Sequence, residues 1–199
     1  MMNKRPASMM ALLFGLGLIL SSCATMAPKP TESNFQAPGI KLAQFEVPQY
    51  DEYWYYANTV EPTKGKKGDR GAPLPMSFLF DVTNPNPFPV LLDSITYTVV
   101  FDKDFEMITS NVNDQYWIPA EKTSQVRITT LITVRSALTG LLLANAPALN
   151  KRGWKAWDTL ERWWKDVPDL AVPVGVKNCS FSFRADGVTK VVPFEATAK

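Results

Sequence analysis

The chain has 199 residues, 46% of them hydrophobic, which is enough apolar material for one domain with a real core. Its 21 basic and 19 acidic residues leave a formal charge of +2, without the basic excess that a nucleic-acid binder carries. It contains no histidine, which removes Ser-His and Cys-His nucleophiles and the commonest zinc ligand.

Lys4 and Arg5 form a basic start, and Met9 to Leu20 is an unbroken run of twelve apolar residues and glycines. At about 1.5 Å per residue this run falls short of the ~30 Å hydrocarbon core of a bilayer. Leu20-Ser21-Ser22-Cys23 follows at once. A large aliphatic, two small residues and a cysteine resemble the lipobox of bacterial lipoproteins. There the small residues fit a narrow peptidase site and the thiol accepts lipid before cleavage. Residues 1–22 are therefore expected to be a lipoprotein signal peptide, with Cys23 lipidated and tethering the mature chain to a membrane. The alternative is an uncleaved anchor helix with an incidental cysteine, for which the run is short. Ser22-Cys23-Ala24 is also a poor Ala-x-Ala-like site for ordinary secretory cleavage.

Cleavage removes two of the 21 basic residues, Lys4 and Arg5, and none of the 19 acidic ones, so the mature formal charge is zero. With lipid on Cys23, Cys179 is the one remaining free thiol, and no intramolecular disulfide can form. Cys179 reads as a small buried apolar residue. Ala24, where an aspartate would signal retention, resembles the outer-membrane sorting pattern of enterobacterial lipoproteins. That resemblance implies a protein of the cell envelope, lipid-anchored at the outer membrane and facing the periplasm.

Residues 23–39 are polar up to Pro38, hold Pro28 and Pro30, and show no apolar period; the expectation is a lipidated N-terminus and flexible tether, with one domain over 40–199. Ile40, Leu42 and Phe45 predict a first short strand, and Tyr53-Trp54-Tyr55-Tyr56 a second. Glu61 to Pro75 is rich in glycine, proline, lysine and arginine and reads as a mobile basic loop. Alternation with period two then marks Phe78–Val82, Ile95–Phe101 and Val126–Val134 as half-buried antiparallel strands. Cys179, Phe181, Phe183 and Ala185 share one face of a later strand. Asp186-Gly187 joins it to Val188–Phe194 as a hairpin, because both central residues of the favoured turn need positive φ. Between these runs Ser136 is placed as the cap of a helix reaching Asn145. Asn150 is placed as the cap of a second helix over Lys151–Val167, ended by Pro168. On the wheel of that second helix Trp154, Trp157, Leu160, Trp163, Trp164 and Val167 fill one half. Trp154 and Trp163 lie at the edges of the arc and are expected to be the least buried, with Trp157, Leu160 and Trp164 deeper. The four tryptophans either close the end of the domain or meet lipid, a ligand or a partner.

Asn84-Pro85-Asn86-Pro87-Phe88-Pro89-Val90 joins two of the strands. Three prolines in five residues cannot donate to a ladder, so the segment must be a crossing loop or an edge, and Asn84 and Asn86 can bond local backbone to make the bend rigid. Together with Phe78–Thr83 before it, the segment resembles the signature of the late embryogenesis abundant type 2 family, also called the WHy (water stress and hypersensitive response) domain. Tyr97, Ile118-Pro119-Ala120, the strand to Val134, the Ser136–Leu143 helix and Val192-Pro193-Phe194 resemble later blocks, so the likeness runs from about Ile40 to Thr197. Two features depart from the family. Asp102-Lys103-Asp104 stands where a glycine turn is usual, and the tryptophan helix is longer and more aromatic. The resemblance implies an antiparallel β-sandwich of fibronectin III or immunoglobulin-like look, mainly β, with one or two helices near one end. Asn84, Pro85, Asn86 and Pro87 are then structural motif residues.

Asp102, Asp104 and Glu106 lack the glycine and distal glutamate of a calcium loop and read as a solvated turn. Neither a Gly-rich phosphate loop nor a paired-cysteine metal spacing occurs in the sequence. The expectation is a protein that is not an enzyme and needs no metal or cofactor. Its partners are the membrane, through Cys23, and a lipid or protein, but not nucleic acid. Three functions fit: a stress- or desiccation-related binding or stabilising module, a lipid or hydrophobic-ligand binder, and a structural accessory of an envelope complex.

Overall fold

Strands dominate because the apolar residues recur every second position, and the computed structural model shows them as two antiparallel sheets packed face to face in a β-sandwich. Residues 28–48 and 73–198 are described. Leu20, Ser21, Ser22 and Cys23, the strand expected at Tyr53–Tyr56 and the basic loop up to residue 72 lie outside them.

The first sheet has the order β1 (Gly39–Glu46), β2 (Leu74–Thr83), β6 (Thr123–Ile132). The second has the order β4 (Phe105–Val112), β3 (Val90–Phe101), β7 (Val174–Ala185), β8 (Val188–Thr197), with the short β5 (Tyr116–Ile118) also pairing β3. Phe78, Phe80 and Val82 face Ile95, Tyr97, Val99, Phe101, Phe181 and Phe183 across the interior, all fully buried. Asp186 and Gly187 both have positive φ, at 43° and 86°, as the hairpin requires.

Register gives the sandwich two distinct ends. At one, Gly39 pairs Thr83, Thr83 pairs Thr123, Val90 pairs Ile118 and Ala185 pairs Val188. At the other, Leu74 pairs Ile132 and Phe101 pairs both Phe105 and Val174. The helices follow Ile132 and precede Val174, so all of them sit at this second end.

Several boundaries differ from expectation. The strand expected to reach Val134 stops at Ile132, because Thr133 leaves the ladder to cap α1 (Val134–Leu142). Ser136 is therefore not the cap; it is the third helical residue, and it completes a capping box with Thr133. The single helix expected over Lys151–Val167 is two: α2 (Ala146–Lys151) and α3 (Ala156–Asp166). Gly153, at φ 66°, breaks the run, and Asn150 lies within α2 instead of capping anything. Among the described residues the helical part near this end is thus three short helices. Leu74 and Pro75 belong to β2, not to the basic loop, and Pro75 lies beyond the last pair made with β1, where its missing N–H leaves no ladder bond unmade on that side. The expected tether is folded in its later part: Phe35 is buried against Phe88, with ring centroids 6.1 Å apart.

Candidate functional site

The Asn-Pro-Asn segment builds the first end. Burial alternates through it, with Asn84, Asn86, Phe88 and Val90 inside and Pro85, Pro87 and Pro89 exposed. The prolines thus point where a missing N–H costs nothing. The Asn84 amide donates to the carbonyls of Phe88 (2.8 Å), Pro119 (3.1 Å) and Ile118 (3.2 Å). Its oxygen accepts from the Asn86 backbone N–H at 3.0 Å and the Asn86 amide at 2.9 Å. Asn86 in turn accepts from the Gln36 N–H at 2.7 Å and donates to the Gln36 carbonyl at 2.9 Å, as a neighbouring strand would. Both asparagines are fully buried. This is a scaffold whose polar groups are all consumed internally.

The helix end is organised around the β3–β4 turn. Asp102 accepts from Trp163 Nε1 at 2.7 Å and pairs with Arg162, while Arg152 pairs with Asp104 and donates to the Asp102 carbonyl at 3.1 Å. Both carboxylates are engaged in ion pairs, and Asp102 also holds the Trp163 indole. Trp154 stacks on Phe105 with centroids 5.6 Å apart, and the guanidinium carbons of Arg152 and Arg162 lie 4.7 Å and 4.5 Å from its ring centre. Trp163 and Trp164 are fully buried, and Trp154 and Trp157 are half-buried. The expectation for Trp163 is thereby corrected: it is core, drawn in by Asp102, Phe101 and Phe105. Trp157 is the shallower residue, because α3 begins only at Ala156 and the edge of its apolar arc moves accordingly.

Asp102 and Lys103 both have positive φ, at 47° and 70°. The turn adopts the conformation a glycine would favour without having one. Lys103→Gly is expected to raise the unfolding free energy by about 1 kcal/mol, since a side chain in the left-handed region is strained. Urea melts of the two proteins measure it.

Asn145, buried beneath α1, was missed by pattern reading. It accepts from the Glu106 N–H at 3.1 Å and donates to the Glu106 carbonyl at 2.8 Å and the Gly140 carbonyl at 3.1 Å, tying the helices to β4. Burial pushes the Cys179 thiol up to about 12, so it stays protonated at neutral pH. Burial also raises the Tyr97 phenol, whose hydroxyl lies beside those of Ser110 and Thr130. A cavity of about 190 Å³ opens where β1 leaves the first sheet, lined by Phe45, Leu170, Val172, Pro173 and Val174. Among the described residues no helix is long and apolar enough to cross a membrane.

No family model and no curated protein matches this chain. Two solved structures are similar over most of its length. One is a protein from Archaeoglobus fulgidus, 9% identical, with 82% of this chain and 93% of that one covered and a TM-score of 0.40. The other is the X-ray structure of a Northeast Structural Genomics Consortium target, 7% identical, with 81% and 85% covered and a TM-score of 0.43.

Proposed function

We propose that the chain is a lipid-anchored protein of the cell envelope whose β-sandwich is a non-catalytic binding or stabilising module, resembling WHy domains. The observation that carries this reading is Leu20-Ser21-Ser22-Cys23 directly after a short apolar run. The architecture is compatible with it. The chain enters the sandwich at the Asn-Pro-Asn end, where Phe35 and Gln36 are held, and the helices close the opposite end. A link to water stress rests on the family resemblance alone.

A lipid-binding reading has the cavity beside Phe45 in its favour. At about 190 Å³ it is smaller than the ~300 Å³ at which ligand pockets begin. Fatty-acid labelling tests the anchor. The wild-type chain is expected to incorporate label and fractionate with membranes, and Cys23→Ala to lose both. Label persisting on Cys23→Ala would show that the anchor lies elsewhere.

A further inference from the structure

The outer face of the five-stranded sheet carries a feature that neither the core nor the helix end uses. β5 sets Trp117 opposite Leu91 of β3, and Leu91 is opposite Arg184 of β7. Leu91 is buried yet stands apart from the interior cluster, so it is covered from the outer side. Trp117 is 65% exposed, while every other described tryptophan is buried or half-buried. In the same region Asp93 accepts from Gln115 at 2.6 Å and from Arg184 at 3.3 Å. Ser94 and Ser182 pair in the adjacent row.

We propose that this face binds a glycan chain, with a pyranose ring stacked on Trp117 and neighbouring hydroxyls held by Arg184, Asp93 and Gln115. One face of a pyranose presents C–H groups, which suit an open indole. Its rim presents hydroxyls that both donate and accept. A guanidinium that donates, a carboxylate that accepts and an amide that does both are their complement. Asp93 already holds Arg184 and Gln115 in place, so little side-chain freedom remains to be lost on binding. Trp117 and Arg184 stand two strands apart, about 10 Å, the span of a disaccharide.

Charge and polarity separate this partner from others. Arg184 and Asp93 cancel, so a polyanion or an anionic lipid surface gains no net attraction there. A protein interface centred on Trp117 needs a contiguous apolar core; the outward residues Ser94, Ser182 and Thr189 are polar, and the exposed Val191, opposite Ser182 on β8, is separated from Trp117 by Arg184 and Ser182. The proposal does not require lipid on Cys23.

The test is sedimentation of the full chain, purified in detergent, with insoluble peptidoglycan sacculi and with cellulose; phosphatidylglycerol vesicles form the lipid arm. The wild-type chain is expected to sediment with at least one polysaccharide. Trp117→Ala should lower that affinity about ten-fold or more, Arg184→Ala several-fold, and Trp117→Tyr should retain most of it. Melting midpoints should stay unchanged, because Trp117 is mostly exposed. Cys23→Ala should bind polysaccharide like wild type, which keeps failure of the anchor distinct from failure of the glycan site. The proposal is overturned if neither polysaccharide retains the wild-type chain, or if Trp117→Ala binds as well as wild type. It is equally overturned if Trp117→Ala loses vesicle binding or self-association while polysaccharide binding persists.

Discussion

Asn84→Ala is expected to lower the unfolding free energy by about 3 kcal/mol, the upper part of the range for orphaning buried polar groups. The side chain serves three carbonyls and two donors, all within a fully buried bend. Its removal leaves the carbonyls of Phe88, Ile118 and Pro119 short of a donor and frees Asn86 to turn away from Gln36. Asn84→Asp should also be destabilising, since a carboxylate cannot donate to those carbonyls. Urea denaturation with both far-UV and fluorescence probes measures the change. A midpoint unaltered in Asn84→Ala, with loss of some binding activity instead, would move the motif from scaffold to binding site.

Trp163→Ala should cost about 3–5 kcal/mol, the usual range for emptying a large buried aromatic site. The residue packs edge-on against Phe101 and Phe105, each with a centroid distance of 5.2 Å, and its indole N–H satisfies Asp102. Trp163→Phe keeps most of the packing and removes that donor, so a smaller loss of about 1–2 kcal/mol is expected. The difference in emission between wild type and Trp163→Phe isolates the Trp163 signal. Because Trp163 is fully buried, that signal should not move when vesicles are added. A blue shift on vesicles, with an unchanged melting midpoint, would mean that α3 opens to meet lipid.

These two residues also mark how far pattern reading reaches. The strands are legible because alternation depends only on the period of the chain, and Phe78–Val82, Ile95–Phe101 and Cys179–Ala185 all face inward as their spacing requires. The bend at Asn84 is legible as a bend, since three prolines restrict it locally. Its partners at Ile118 and Pro119 are not, being 34 and 35 residues away. Asn86 and Gln36 are separated by 50 residues, and nothing in residues 23–39 marks Gln36 as the one gripped. Trp163 was misplaced for a related reason. Gly153 breaks the helix ahead of α3, which takes Trp154 off the wheel and leaves Trp157 at its edge, but Trp163 keeps its edge position and is buried by contacts from outside the helix. The pull of Asp102 comes from 61 residues away. The exposed Trp117 carried no periodic signal, because β5 is only three residues long.

The grip of Asn86 on Gln36 gives the domain a mechanical entry point. Tension arriving along the chain from its N-terminal side passes the exposed Lys29–Asp186 ion pair and then meets Phe35, seated on Phe88, and two hydrogen bonds made by a single amide. Those two bonds share the load and must break nearly together. Only then does force reach β1, which among the described strands is an edge paired to β2 alone. Without the grip, the same pull would peel β1 from the sheet one bond at a time, starting at Gly39. The segment before the first strand therefore works as strain relief, and it keeps a tug on the N-terminus from unzipping the sandwich at its weakest margin.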